Sequence, residues 1–185
     1  MRKIIYGINL TADGCCDHTA FSGGDELHEY FTNLLRGVDL VVYGRKTYEL
    51  MVPFWPQVAR EQSESEAVNE FARVFSAIDR VVFSTTLTSA DDHTKIVRGN
   101  LRDEILKLKQ APGKNISIGG VDLPAQLIAL GLVDEFYFLV HPVMAGEGRR
   151  LLEGANLQEQ LQLKPAGSEV LASGCVALHY RKQDA

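Results

Sequence analysis

Apolar runs and stretches with helical spacing alternate along the first three quarters of the chain. The run Lys3–Thr11 (KIIYGINLT) has little polar alternation, which is typical of a strand covered on both faces of a sheet. Apolar side chains then recur at helical spacing between Leu27 and Leu35. The runs Asp39–Gly44 and Arg80–Thr85 predict the second and third strands, so strands and helices alternate from the start.

The same signals predict the remaining elements. Helices are predicted to begin at polar capping residues, with Ser22 before Asp25 and Ser63 before Glu66, and at Asn100 and Asp122. Pro53 and Pro56 are predicted to end a short helix and enclose a loop. Further strands are predicted at Lys95–Arg98, Asn115–Ile118, Glu135–Val140, Ser168–Ala172 and Cys175–Arg181.

Strands and helices alternate up to about Val140, and after that point strands follow strands. The first pattern builds a mostly parallel sheet through right-handed crossovers, and the second adds antiparallel strands at its edge. We therefore expect an α/β protein with three α/β/α layers around a central mixed sheet. With no repeat or linker, residues 1–185 are expected to form a single domain.

One stretch, Asn115–Gly131 (NISIGGVDLPAQLIALG), has the form of a strand, a glycine pair and a helix. Gly119 and Gly120 have no side chains to block a ligand that approaches the backbone. The N-terminus of the following helix favours an anion such as phosphate. A tight turn that needs glycine for its dihedral angles explains the pair equally well, and the stretch alone leaves both readings open.

Other polar groups follow the carboxyl ends of predicted strands, which lie on one edge of a parallel sheet and commonly bind ligands there. Arg45, Lys46 and Thr47 follow the glycine that ends the second strand, and Ser84–Thr86 end the third. Two cations near the positive end of a helix dipole are unfavourable without an anion, so we favour a phosphate site over a solvated pair at a helix start. Ordinary turn residues explain Ser84–Thr86 equally well. The edge as a whole suits a ligand with several phosphates.

Composition narrows the classes of partner. The net charge of −5 gives no basic footprint for nucleic acid or for an anionic membrane, and no run approaches a membrane span. Cys15, Cys16 and Cys175 lack the spacing of a metal site or a redox motif. The five histidines are scattered, so we predict no metal. The start of the chain resembles a strand and not a secretory signal, and we expect a cytoplasmic protein.

Three acids are candidates for polarising or protonating a substrate. Asp13 follows the first strand and is our first choice, while Asp25 and Glu26 at the start of the first helix are alternatives. Each also suits a turn or a helix cap. Trp55 lies between Phe54 and Pro56, and we expect it in a loop that walls a flat aromatic substrate, with packing in the core as the alternative.

Three segments together resemble the dihydrofolate reductase-like superfamily. Within it they most resemble the branch that contains the reductase domain of bacterial riboflavin biosynthesis. They are INLTADG, VVYGRKTYE and IGGVDLPAQLIALGLVDEFYFLVHPVMAGEGRRLL. The resemblance covers nearly the whole chain. It implies the dihydrofolate reductase-like fold, an NADPH cofactor held across the carboxyl edge of the sheet, and a homodimer.

By this resemblance Gly44–Thr47 match the motif around the adenosine phosphates, and Ser84 and Thr85 match the strand end that holds the 2′-phosphate. Gly119 and Gly120 match the glycine pair beside the pyrophosphate, which dihydrofolate reductases join by a cis peptide bond, so we predict a cis bond here. The predicted cofactor contacts are Asn9, Gly44, Arg45, Lys46, Thr47, Ser84, Thr85, Ile118, Gly119, Gly120, Val121, Asp122 and Leu123.

Departures from the family pattern concern the substrate. The Trp and Pro pattern of the folate loop is missing after Gly14, and the deaminase half of bifunctional riboflavin enzymes is absent from this sequence. The resemblance therefore does not identify folate or the riboflavin intermediate as the substrate of this protein. The expected reaction is hydride transfer from NADPH to a C=N or C=O bond of a small pterin- or pyrimidine-like heterocycle. The alternative is a non-catalytic module that binds a nucleotide or a flavin.

Overall fold

The computed structural model describes residues 1–17, 19, 21, 23–155, 157 and 159–183. Within these residues one mixed sheet contains eight strands. They are β1 (Ile4–Thr11), β2 (Val38–Gly44), β3 (Asp79–Phe83), β4 (Thr94–Val97), β5 (Asn115–Ile118), β6 (Glu135–His141), β7 (Leu163–Val170) and β8 (Val176–Lys182). The order across the sheet is β4-β3-β2-β5-β1-β6-β8-β7.

The six strands β1 to β6 pair in parallel, and β8 and β7 add to β6 in antiparallel fashion. This confirms the predicted fold class, a mostly parallel sheet with antiparallel C-terminal strands. The prediction for β7 was displaced, since the strand begins at Leu163 and not at Ser168. Pro165 is tolerated because β7 is an edge strand, and the register shifts between Pro165 and Gly167.

Six helices connect the strands of the described part of the chain. They are α1 (Asp25–Leu35), α2 (Arg45–Met51), α3 (Trp55–Glu61), α4 (Glu66–Ser76), α5 (Leu101–Gln110) and α6 (Asp122–Ala129). Helix α3 was not predicted from the sequence, because Pro56 was expected to break a helix. Pro56 instead lies in the first turn of α3, where a missing N–H costs nothing.

The helix caps agree with the sequence patterns in part. The side chain of Asn100 accepts a hydrogen bond from the amide of Asp103, as predicted for α5. The cap of α4 is Ser65 and not Ser63. Helix α6 is capped by the backbone of Val121, and Asp122 is its first residue instead of its cap. For α1, the predicted cap Ser22 lies outside the described residues, and Gly24 occupies the cap position.

Hydrophobic side chains cover both faces of the sheet. On one face Ile4, Tyr6 and Ile116 pack with Ile105 of α5 and Leu127 of α6. On the other face a second cluster joins the sheet to α1 and α4, through Ile5, Val41, Val82, Leu35, Phe71 and Phe75. Neighbouring residues Ile4 and Ile5 point to opposite faces, as the period of a strand requires. The helices therefore form the two outer layers of an α/β/α arrangement.

Two kinds of feature are absent from the described part of the chain. No helix in this part of the chain is both long and apolar enough to cross a membrane. No group of three or more histidine, cysteine or acidic side chains there is placed to hold a metal ion.

Candidate functional site

A large cleft lies along the carboxyl edge of the parallel strands. Its volume is about 1270 Å³, which exceeds the range of about 300–1000 Å³ that is usual for one small ligand. The ends of β2, β3 and β5 and the first turns of α2 and α6 line it. Parallel pairing of these strands explains why chain segments far apart in sequence meet at this edge.

The glycine pair forms the tightest part of the cleft wall. Gly120 has a φ of +85°, and a Cβ placed there would overlap the hydroxyl of Thr47. A Cβ at Gly119 would overlap the ring of Tyr43. The peptide bond between the two glycines is trans, so the predicted cis bond is wrong. The positive φ of Gly120 makes the turn without it, because glycine adopts this region at little cost.

Tyr6 holds this turn from below. Its hydroxyl donates a hydrogen bond of 2.8 Å to the carbonyl oxygen of Gly120. Burial raises the pKa of the Tyr6 phenol far above its usual range, so the hydroxyl stays protonated and remains a donor. The amides at the start of α6 therefore sit on a turn with a fixed position.

Cations and hydroxyl groups gather at one end of the cleft, which we call the polar end. It consists of Arg45, Lys46, Ser84–Thr86 and Arg98. The guanidinium of Arg45 donates to the hydroxyl of Thr86 over 2.9 Å, which places the start of α2 against the end of β3. The side-chain oxygen of Ser84 accepts from the amides of Thr86 and Leu87 and shapes this strand end. The structure thus brings two predicted phosphate-binding segments together.

An ion pair spans the cleft beside the glycine turn. Arg149, in the loop after β6, donates two hydrogen bonds to the carboxylate of Asp122 at the start of α6. These hydrogen bonds lower the pKa of Asp122, and the charges of Arg149 and Lys46 act in the same direction. The negative charge of Asp122 next to a predicted pyrophosphate site is therefore neutralised within the protein.

Aromatic and aliphatic side chains line the other end of the cleft, which we call the aromatic end. It consists of Leu27, Phe31, Met51, Trp55 and Phe71. The rings of Trp55 and Phe71 meet edge to face at 4.5 Å between centroids. Trp55 lies on the cleft wall as predicted, although on helix α3 and not in a loop. A flat apolar ring would bury its faces here.

The three predicted catalytic acids do not line the cleft. Asp13 accepts hydrogen bonds from the hydroxyl of Thr11 and the amides of Ala145 and Gly146, which lower its pKa to about 2. A carboxyl group with such a pKa is a poor proton donor near neutral pH. Asp13 instead ties the end of β1 to the loop after β6.

Asp25 and Glu26 also have structural partners. Asp25 accepts a hydrogen bond from the hydroxyl of Ser65, which links the starts of α1 and α4. Glu26 accepts from the amides of Ala172 and Ser173 at the turn between β7 and β8. The structure therefore gives each acid a role in holding chain segments together and assigns none of them to the cleft.

Several cleft residues were missed by the sequence analysis. Arg98 follows β4, so its position after a strand end was a signal that could have identified it. Arg149 is followed by Arg150 in the loop after β6, and no sequence pattern separates the two. Phe31 and Phe71 belong to helical stripes that also fill the core, so periodicity cannot separate the two roles. Cys16 and Asp17 line the cleft from a loop with no distinguishing pattern.

Comparisons with known proteins agree with this architecture. The family model described as the RibD C-terminal domain matches residues 2–177. The uncharacterised protein YyaP of Bacillus subtilis is 33% identical over 186 residues, which cover 97% of this chain and 94% of YyaP. Its identity and coverage place the two proteins in one family.

Solved structures share the fold at low sequence identity. A "Putative riboflavin biosynthesis protein" from Shewanella sp. PV-4 has a TM-score of 0.75 at 21% identity, with full coverage of both chains. A pyrimidine reductase-like protein from Corynebacterium diphtheriae has a TM-score of 0.64 at 15% identity, covering all of this chain and 93% of the other. RibD of Acinetobacter baumannii has a TM-score of 0.66 at 15% identity, and the match covers all of this chain and 59% of RibD.

Proposed function

The chain belongs to the RibD C-terminal domain family, and on that premise we propose that it is an NADPH-dependent reductase. Its reaction is hydride transfer to a C=N or C=O bond of a small, flat heterocycle of the pterin or pyrimidine kind. The observation that carries the proposal is that one cleft is lined by a polar end, an aromatic end and the glycine turn.

The residues of the polar end fit the phosphates of NADPH. Arg45 and Lys46 would neutralise the 2′-phosphate, and the neighbouring hydroxyl groups of Ser84–Thr86 add donors without charge. Gly119 and Gly120 line the cleft without side chains, so the backbone there and the start of α6 would be open to the pyrophosphate. The contact between Arg45 and Thr86 supports a single anion site built by both segments.

The aromatic end suits two rings, the nicotinamide ring that donates the hydride and the substrate ring that receives it. When bound, the reduced nicotinamide supplies the hydride. Trp55, Phe31 and Phe71 would hold planar rings and exclude water, and the cleft is larger than one small ligand requires. The solved relatives described as a pyrimidine reductase-like protein and as RibD support a heterocyclic substrate.

The setting of the enzyme also remains a proposal. We propose a cytoplasmic homodimer of a single domain that acts on a small molecule and on neither nucleic acid nor membranes. Strand β7 supports self-association, because it is one of the two edge strands of the sheet and is exposed along nearly its whole length. Unpaired edges of this kind commonly pair with another chain.

One observation favours a second candidate, a non-catalytic module that binds a nucleotide or a flavin. Asp13, Asp25 and Glu26 hold loops and lie outside the cleft lining, so none of the predicted acids is placed to deliver a proton. Without these three acids the cleft would still bind a cofactor, as a binding module does. Fold alone does not separate the two candidates.

Ligand binding followed by turnover separates them. The melting temperature is measured with NADPH, NADH and flavin mononucleotide, since a ligand at 100 times its Kd adds roughly 2.7 kcal/mol of stability. We expect the largest shift with NADPH. Loss of NADPH absorbance is then followed with pterin and pyrimidine carbonyl compounds. Binding without oxidation of any of them would favour the second candidate, and a shift with the flavin alone would overturn the NADPH proposal.

A further inference from the structure

Three polar side chains form a chain of contacts that leads from the interior to the cleft. The Sγ of Cys175 lies 3.4 Å from Nδ1 of His141. The Nε2 of the same ring lies 2.9 Å from Oδ1 of Asn9. His141 and Cys175 are 7% and 6% exposed and do not line the cleft, whereas Asn9 does. Of these three side chains, only that of Asn9 therefore faces a ligand.

The chemistry of the ring gives this chain a direction. Burial lowers the pKa of His141, so the imidazole is neutral and has one N–H and one lone pair. The amide oxygen of Asn9 only accepts, so Nε2 carries the proton. The lone pair of Nδ1 then accepts from the thiol of Cys175. The opposite direction would use the thiol sulfur as the acceptor, which is weak.

We propose that this chain fixes Asn9 with its side-chain NH₂ group towards the cleft, as a donor for the oxygen of a planar amide. The amide is either the carboxamide of the nicotinamide or the lactam carbonyl of a pyrimidine- or pterin-like substrate. This inference rests on the proposed function, and it names the chemical group that the aromatic end recognises. Asn9 is then the residue that orients a ring, while His141 and Cys175 are positioning residues.

The location of Asn9 supports this role. Asn9 shares a face of β1 with Gly7, and a Cβ at Gly7 would lie 3.2 Å from the ring of Phe31. That face is the one covered by α1, so Asn9 lies at the aromatic end of the cleft. The ring of Phe21 packs against His141 at 4.6 Å and lines the cleft in front of it. A single oriented donor in an apolar wall discriminates strongly, because a ring without the acceptor leaves it unpaired.

The same three residue types form the nucleophilic site of papain-like proteases, with cysteine as the attacking group. That role does not fit here. Cys175 is buried among Leu139, Ala177 and Leu27, and it does not reach the cleft surface. A substrate carbonyl has no path to its sulfur, so the thiol serves as a hydrogen-bond donor inside the protein.

The first arm of the test needs no ligand. Nitrogen-15 NMR of the whole protein reports which ring nitrogen of His141 carries the proton. We expect the Nε2–H form in the wild type at neutral pH. The Nδ1–H form would overturn the proposal, because Asn9 would then have to present its oxygen to the cleft.

The second arm uses Asn9→Asp, which keeps the shape and the oxygen that accepts from His141 but replaces the NH₂ donor with an anionic oxygen. The probes are NADPH, whose nicotinamide ring is uncharged, 2′-phospho-ADP-ribose, which lacks the nicotinamide, and lumazine, a pteridine dione, added to protein saturated with NADP⁺. If the nicotinamide is recognised, NADPH binds about tenfold or more weakly and 2′-phospho-ADP-ribose is unaffected. If the substrate is recognised, only lumazine binding falls by that factor.

Uniform weakening of all three probes, or no weakening, overturns the proposal. Failure of the proposed function has a different signature, since the wild type itself would then bind neither NADPH nor 2′-phospho-ADP-ribose. Cys175→Ser keeps a donor for His141, and Cys175→Ala removes it. We expect the alanine variant to show part of the Asn9→Asp defect on the same probe and the serine variant to restore binding. Equal effects of the two variants would contradict the positioning role of Cys175.

Discussion

The hydroxyl of Tyr6 donates a 2.8 Å hydrogen bond to the carbonyl oxygen of Gly120 and so connects β1 to the glycine turn. Tyr6 is fully buried. Through this hydrogen bond, the packing of β1 affects the position of the Gly120 backbone that faces the cleft. A change in the interior can therefore alter the candidate binding site without touching a ligand.

Tyr6→Phe removes this hydrogen bond and leaves the carbonyl of Gly120 without its partner. We expect about 1 kcal/mol lower free energy of unfolding in urea and weaker NADP⁺ binding by calorimetry. Tyr48→Phe is a matched control, since Tyr48 loses hydrogen bonds to Asp91 and does not line the cleft. It should lose stability but keep its NADP⁺ affinity. Equal affinity losses in both variants would show that Tyr6 has no specific link to the site.

Gly120→Ala tests the close approach at the turn. The new Cβ would overlap the hydroxyl of Thr47, and the residue would have to keep a φ of +85°. Gly154→Ala is the control, because Gly154 has a φ of +74° and open space around a new Cβ. Both variants carry the cost of a left-handed residue, about 1–2 kcal/mol. We expect Gly120→Ala to lose clearly more stability in urea, and identical losses would mean that only the dihedral angle matters.

Replacing Arg45 and Lys46 together by alanine tests how the polar end distinguishes cofactors. Charge-assisted hydrogen bonds to a phosphate are worth about 1.5–3 kcal/mol each. Because two such bonds are lost, we expect roughly a 100-fold or larger loss of NADPH affinity and little change for NADH, measured by calorimetry. The double variant Arg102→Ala and Lys107→Ala on α5 changes the net charge equally and lies outside the cleft lining. Parallel losses for NADPH and NADH would exclude recognition of the 2′-phosphate by these cations.

A double-mutant cycle addresses Asp122 and Arg149. Arg149→Met leaves the carboxylate of Asp122 unpaired at the start of α6, where it would repel a pyrophosphate. We expect roughly tenfold weaker NADP⁺ binding, because a lost charge pair of this kind is worth about 1 kcal/mol or more. Asp122→Asn in the same chain should restore most of the affinity. A double variant as weak as Arg149→Met would mean that Arg149 contacts the ligand directly.

Strand ends were the part of the site that could be predicted from the sequence. Gly44–Thr47, Ser84–Thr86 and the glycine pair all follow buried strands, and parallel pairing brings them to one edge. Arg98 obeys the same rule. These predictions use hydrophobic periodicity and strand topology, so they apply to residues whose position is set by the backbone.

Side-chain partners could not be predicted in the same way. Asp13 looked like a catalytic acid because it follows β1, but its hydrogen bonds to Ala145 and Gly146 come from a loop more than 130 residues away. Trp55 was predicted in a loop because Pro56 was interpreted as a helix breaker, whereas Pro56 lies in the first turn of α3. The link from Asn9 to Cys175 joins residues from opposite ends of the chain through His141, and no local pattern announces it.

A buried carboxylate makes the stability of the protein depend on pH. Glu135 on β6 is 8% exposed, and its carboxylate accepts hydrogen bonds from Lys3 at 2.6 Å, Tyr137 at 2.8 Å and His179 at 2.9 Å. Burial alone would raise the pKa, but these hydrogen bonds outweigh it and lower the pKa of Glu135 to about 2, from 4.5. The unfolded chain thus binds the proton more readily than the folded one between these values.

The contribution of Glu135 to stability is therefore complete above pH 4.5 and is lost as the pH falls towards 2. The free energy of unfolding in urea is measured from pH 7 to pH 3 for the wild type and for Glu135→Gln. Their difference should shrink by about 2 kcal/mol over this range, because one pKa unit corresponds to about 1.4 kcal/mol. Glu104→Gln removes the same charge from the more exposed pair with Lys107 and is the control for the loss of a carboxylate in an exposed ion pair. Parallel curves for the wild type and Glu135→Gln would contradict a lowered pKa, since the carboxylate would then titrate alike in both states.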